Sequence, residues 1–172
     1  MTGKSILMVI APSGFRDEEL LEPKKVFEDL GASVTVASEG VDSAKGMLGV
    51  VVSVDEDVKD VDIDDYDALV FPGGSGASVY FHDDEILNLV KEAYEKGKVI
   101  GAICIAPSIL ANAGILEGKH VTSFPSEKDN LEAHGAIYTG ADVEQDGKII
   151  TCSGPHAATE FGLKIAEVLS HE

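Results

Sequence analysis

The stretch "KVIGAICIAPSILANAG", residues 98–114, decides the fold. "KVIGAIC", from Lys98 to Cys104, reads as a strand buried on both faces. From Ala106 onward the stretch reads as a short helix ended by Gly114. Cys104 stands at the junction. Gly101, Ala102 and Ala106 are small enough to permit a tight bend, so the spacing predicts a strand, a sharp turn bearing a cysteine, and a helix. Such a turn aims the sulfur out of the carboxyl end of a strand, and the helix behind it is expected to lower the thiol pKa. Taken alone, Cys104 reads equally well as a small buried hydrophobe.

The same alternation runs outward from this stretch. "SILMVIA", residues 5–11, is a second doubly buried strand, followed by helical spacing at Leu20, Leu21, Val26, Phe27 and Leu30, closed by Gly31. "SVTVAS" at 33–38 predicts a strand, and "GVVVSVD" at 49–55 alternates as an edge hairpin does. "DALVFPGG" is a further buried strand ending at Pro72, Gly73 and Gly74. A helix is expected over 84–96, capped by Asp83 or Asp84 and ended by Gly97. "SEKDNLEAHG", with Ser126 and Asp129 in capping positions, predicts another helix. Asp146-Gly147 is a hairpin turn signal before a strand from Lys148 to Cys152. "PHAATEFGLKIAEVLS" is the last amphipathic helix, with Pro155 in its first turn. Strands alternating with helices imply one α/β domain over 1–172, its mostly parallel sheet covered on both faces.

Composition narrows the function classes. With 172 residues the chain is long enough to bury a sizeable core. Asp and Glu number 31 against 13 Lys and Arg, a formal net charge of −18. That surface repels phosphate backbones and anionic lipids, so neither nucleic acid nor membrane is an expected partner. No apolar run reaches the ~20 residues that cross a bilayer, and "MTGKSILMVIAP" lacks the marks of a signal peptide, so a cytoplasmic protein is expected. Cys104 and Cys152 are then expected to be thiols rather than a disulfide, and no Cys and His cluster has metal-ligand spacing. No metal and no organic cofactor are expected.

In an open parallel sheet, ligands bind at the carboxyl ends of the strands. Three segments finish there: "SGFRDEE", "PGGSG" and "CIAP". Gly73 and Gly74 can form a plain turn, but beside a cysteine elbow their N–H groups are placed to hold an oxyanion.

The segments "DALVFPGG", "GKVIGAICIAPSILANAGILEGKHVTSFPSEKDNLEAHGA" and "DGKIITCSGPHAATEFGLKIAEVL" resemble the DJ-one/PfpI superfamily, that of the PfpI intracellular proteases and the Parkinson-associated protein deglycase. The likeness runs from the first strand to the last helix. It implies a flavodoxin-like three-layer α/β sandwich, related to class I glutamine amidotransferases, with a nucleophile elbow. A homodimer is the implied unit, with higher oligomers among PfpI relatives. The resemblance also implies that Cys104 is the reactive cysteine. The family's E-x-x-x-P spacing, counted back from Pro23, points to Glu19 as the carboxyl against that sulfur, with Glu18 as the alternative. A protonated Glu19 would bond the thiolate and shuttle a proton; without the resemblance, a solvated first-turn acid is the commoner reading.

Three departures from the family pattern bear on activity. Ile105 stands where the proteases carry the histidine after the cysteine. Phe124, in "TSFP", replaces a second family histidine. The acidic residue that the proteases place after "PGG" falls near Ser78. The Cys-His pair of a peptidase is therefore missing. Among the remaining histidines His156, after "SGP", is the first candidate for a replacement base and His82 the second, each with an ordinary helix-start reading beside it. His120, His134 and His171 read as surface residues, and Cys152 as core with a redox partnership as the alternative.

Three functions stay open. One is a cofactor-free, stress-protective enzyme acting on small reactive carbonyls, glyoxalase- or deglycase-like. It would use Cys104, Glu19 and His156, with Gly73, Gly74 and Ile105 amides at the oxyanion. Another is a non-enzymatic redox sensor through oxidation of Cys104. An intracellular cysteine peptidase is the third, disfavoured by Ile105.

Overall fold

The computed structural model describes all residues, 1–172. In chain order its elements are β1 (Ser5–Val9), β2 (Ser13–Phe15), α1 (Asp17–Asp29), β3 (Ser33–Ser38), β4 (Ser43–Gly46), β5 (Val51–Ser53), β6 (Glu56–Asp57) and β7 (Ala68–Phe71). There follow α2 (Asp84–Glu95), β8 (Val99–Ile103), α3 (Pro107–Asn112), β9 (His120–Val121), α4 (Lys128–Ala133), β10 (Ile137–Tyr138), β11 (Val143–Asp146), β12 (Ile149–Cys152) and α5 (Ala158–Ser170).

Seven strands form the main sheet in the order β11-β12-β8-β7-β1-β3-β6, all parallel except β11. The chain steps from β1 to β3 on one side and then to β7 on the other, so the order reverses at β1 and β7, where a crevice opens. Alternation along β1 splits the core into two layers. Leu7 and Val9 join Ile86, Val90, Ile109 and Leu110 on the face covered by α2 and α3. Ile6 and Met8 join Leu20, Phe27, Phe161 and Ile165 on the face covered by α1 and α5. The result is the flavodoxin-like three-layer sandwich that the sequence predicts.

Local signals mostly hold. Asp83 caps α2, its carboxylate accepting the Glu85 and Ile86 N–H groups at 3.0 and 3.2 Å. Three corrections apply. Ser126 is no helix cap: Pro125–Glu127 form a 3-10 turn, α4 starts only at Lys128, and the Ser126 hydroxyl donates to Glu127 Oε2. The β11–β12 turn falls on Gly147 and Lys148, one residue later than Asp146-Gly147, because Asp146 already pairs with Ile149. Pro155 opens a 3-10 turn, Pro155–Ala157, ahead of α5.

A three-stranded side sheet, β2-β4-β5, contains the expected edge hairpin. The buried Asp17 carboxylate fastens the hairpin loop to α1, accepting the Leu48 and Val50 N–H groups at 3.0 Å each. No helix is long and apolar enough to cross a membrane.

Candidate active site

Cys104 follows β8 directly, with φ +66°, the one non-glycine residue in the left-handed region. A side chain in that conformation is strained, and the surrounding backbone maintains it. The Cys104 N–H donates to the Cys152 carbonyl on β12 at 2.9 Å, and the Cys104 carbonyl accepts the Phe124 N–H at 2.8 Å. The thiol is half-buried and opens into a cavity of about 350 Å³ lined by Arg16, Glu19, Met47, Gly74, Ser75, Cys104, Ile105, Phe124, Ser126 and Pro155. All three expected segments thus converge. A larger groove, of about 410 Å³, lies between α1, β3 and β5 but holds no cysteine or histidine.

Glu19, on the first turn of α1, is fully buried. Its Oε1 accepts the Gly73 N–H at 2.9 Å, while Oε2 is buried with no hydrogen-bond partner. Burial pushes its carboxyl up to about 7, against the lowering effects of the Gly73 N–H and the Arg16 charge. A carboxyl that titrates there can hold or release a proton at neutral pH. Glu18 turns away and pairs with Arg16, so the carboxyl at the sulfur belongs to Glu19.

Burial, then the Glu19 charge, pushes the Cys104 thiol up to about 11; the Gly74 and Ile105 N–H groups face the sulfur and act in the opposite direction. The expectation of a helix-lowered pKa is therefore overturned. With only six residues, α3 has little dipole to offer against burial of the thiol and the Glu19 charge beside it.

Gly73 is corrected as an oxyanion donor, since its N–H is committed to Glu19. A side chain at Gly73 would meet the Ile103 carbonyl at 2.5 Å and Cys104 Cβ at 2.7 Å, so glycine there lets the loop approach the elbow. Gly74, at φ +98°, has equally little room against the backbone of residues 14–16.

His156 does not line the thiol cavity. It is exposed, its Nε2 lies 3.1 Å from Asp142 Oδ1, and it borders a neighbouring cavity of about 280 Å³ across Phe124 and Pro155. His82 is exposed and lines neither cavity. The thiol cavity has no imidazole in its lining. Cys152 is fully buried in the α1/α5 core, as expected, and burial pushes its thiol up to about 12. No three His, Cys, Asp or Glu side chains converge as metal ligands.

Two lining residues went unread in the sequence. Arg16 is signalled only by being the sole arginine of the chain. Met47, whose Sδ accepts the Ser75 N–H at 3.4 Å, is brought in by the hairpin and has no sequence signal.

A parallel α/β sheet with a thiol on a strand-to-helix elbow, beside the switch point, defines a nucleophile-elbow protein. Within that class the chain belongs to the DJ-1/PfpI family, whose model matches residues 4–168. An uncharacterized protein of Methanocaldococcus jannaschii is 44% identical over 172 residues, 98% of this chain and 84% of the relative. A deglycase of Thermococcus kodakarensis is 33% identical, covering 87% of this chain and 90% of its own. A glutathione-independent glyoxalase of Caenorhabditis elegans is 32% identical, covering 96% and 89%. Among solved structures, a ThiJ/PfpI domain protein from Brachyspira murdochii superposes with a TM-score of 0.96 at 31% identity, covering 100% of this chain and 99% of its own.

Proposed function

We propose that this protein is a cysteine-dependent enzyme that converts small 2-oxoaldehydes such as methylglyoxal into 2-hydroxy acids. The observation that carries the reading is the pairing at the elbow: a strained Cys104 thiol beside a buried Glu19 carboxyl that titrates near 7. The relatives named deglycase and glyoxalase support the same chemistry.

The Sγ attacks the aldehyde carbon while Glu19 takes the thiol proton. The oxyanion that forms meets the Gly74 and Ile105 N–H groups and receives that proton back, giving a hemithioacetal. Glu19 then removes the former aldehyde hydrogen and returns it to the neighbouring carbon, as the hemithioacetal hydroxyl proton passes to the second oxygen. The product is a thioester of the 2-hydroxy acid. Water cleaves it, releasing the acid and restoring the thiol, so the sum is dicarbonyl plus water to hydroxy acid. Thiolate formation costs most when Glu19 is ionised, which is why one proton shared between the two groups suits the first step.

Lactate formation from methylglyoxal by wild type, Cys104→Ser and Glu19→Gln tests this. Turnover should vanish in the first variant and fall by about 10²-fold or more in the second. Equal rates in wild type and Cys104→Ser would refute it.

One observation favours a second reading, a redox sensor. A protonated Glu19 Oε2, unpartnered in the resting site, together with the two amides facing the sulfur, could hold a Cys104 sulfinate formed by peroxide. Mass spectrometry after mild peroxide should then find oxidation concentrated at Cys104 and not at Cys152. A peptidase has less support, since Ile105 supplies no base to the thiol.

A further inference from the structure

The chain has twelve lysines and one arginine, and that arginine lines the Cys104 cavity. Arg16 is the one cation in a lining otherwise made of Glu19, two serines, glycine and apolar groups. Its backbone is fixed beside the Gly73-Gly74 loop, the Arg16 N–H donating to the Gly73 carbonyl at 2.9 Å. Its side chain is fixed by Glu18: Nε donates to Oε1 and Nη2 to Oε2, each at 3.0 Å.

That pairing leaves a particular set of donors. A guanidinium has five N–H groups and Glu18 takes two, leaving both on Nη1 and one on Nη2. Those on adjacent nitrogens form the end-on fork that a carboxylate accepts with both oxygens. Glu18 thus orients the fork without filling it. The ordinary reading is a helix-start ion pair of little energetic weight. The chain's other acid–base contacts use lysine or histidine and include none of the cavity-lining residues. A lysine would meet the needs of a surface pair equally well; a planar fork on a residue that lines the same cavity as a nucleophile has a use that lysine cannot serve.

We propose that Arg16 is an anion-binding, specificity-determining residue of the Cys104 cavity, so that the preferred electrophile is a carbonyl compound carrying a carboxylate. The identity of the reaction rests on the function proposed above; the anion subsite rests on Arg16 alone. Met47, Ile105, Phe124 and Pro155 would pack the carbon chain between the two ends.

Alkylation of Cys104 tests the subsite without any turnover. Iodoacetate and iodoacetamide have the same reach and leaving group and differ in a carboxylate against an amide. The rate of each at Cys104, resolved by peptide mass spectrometry, gives a ratio in which general changes in thiol reactivity cancel. Arg16→Gln should lower the iodoacetate-to-iodoacetamide ratio about tenfold, the scale of one charge-assisted hydrogen bond. Arg16→Lys, which keeps the charge and loses the fork, should fall between. A ratio unchanged in both variants overturns the proposal.

The second arm compares kcat/KM for 4,5-dioxopentanoate, a 2-oxoaldehyde bearing a carboxylate, with that for methylglyoxal. Arg16→Gln should lower the first relative to the second, through KM; equal losses overturn the specificity. If wild type consumes neither dicarbonyl, the proposed reaction falls while the alkylation ratio still decides the subsite.

Discussion

Burial pushes both Glu19 and Cys104 towards their neutral forms, at Cys104 with the Glu19 charge acting in the same direction, and that has measurable consequences at the scale of single residues. Glu19 titrates near 7 in the folded protein against an ordinary 4.5, so between those values the native state keeps a proton that the unfolded chain has released. The stability this contributes is fully present below about pH 4.5 and is lost as pH rises through 7, a change of about 3 kcal/mol. With no tryptophan in the chain, urea unfolding followed by circular dichroism at pH 5 and pH 8 is the measurement. Wild type should lose distinctly more stability over that interval than Glu19→Gln; equal losses would place the carboxyl elsewhere than in a buried site. The same variant removes the negative charge beside the sulfur. The Cys104 pKa should fall from about 11, and alkylation by iodoacetamide at pH 8 should accelerate. Cys104 was legible because a cysteine between a strand run and a helix has a local signature. That the Gly73 N–H is withdrawn from the site was not, since it depends on which N–H the Glu19 carboxylate captures.

At the scale of elements, α1 brings Arg16, Asp17 and Glu19 to bear on the site within one turn, and its packing on α5 sets their depth. Pro23 lies inside α1 and has no N–H to donate to the Glu19 carbonyl four residues back. Opposite it, a Cβ on Gly162 of α5 would stand 2.9 Å from Pro23 Cα and 3.4 Å from Val26 Cβ. Gly162→Ala should therefore destabilise the fold by about 1–2 kcal/mol despite alanine's better helix propensity, because the atom it meets is backbone that cannot swing aside. A thermal midpoint lowered by several degrees is the expected result; a raised midpoint would show that the helices separate freely. The long helices and buried strands were readable from periodicity. Two-residue strands such as β6, β9 and β10, and the late start of α4, were not, because so few residues carry no period and their pairing partners are remote in sequence.

The whole molecule carries a formal charge of −18, so like charges are crowded together on folding. Raising sodium chloride from about 0.01 M to 0.5 M shortens the screening length severalfold and should raise the thermal midpoint. A midpoint that falls would mean that the ion pairs of Arg16, Lys24 and Lys148 outweigh the general repulsion. By itself the sequence determined the α/β layering, the two-sided burial of β1, β7 and β8, the elbow at Cys104 and, through resemblance, Glu19. All but the last depend on residue type and spacing along the chain, which physical chemistry reads locally. Only the tertiary structure decided that Gly73 serves Glu19, that His156 turns to Asp142 outside the thiol cavity, that the Cys104 thiol is pushed up and not down, and that Asp17 draws the hairpin and Met47 over the site. Each of these is settled by distances between groups that the sequence holds far apart, and by how deeply the fold removes them from water.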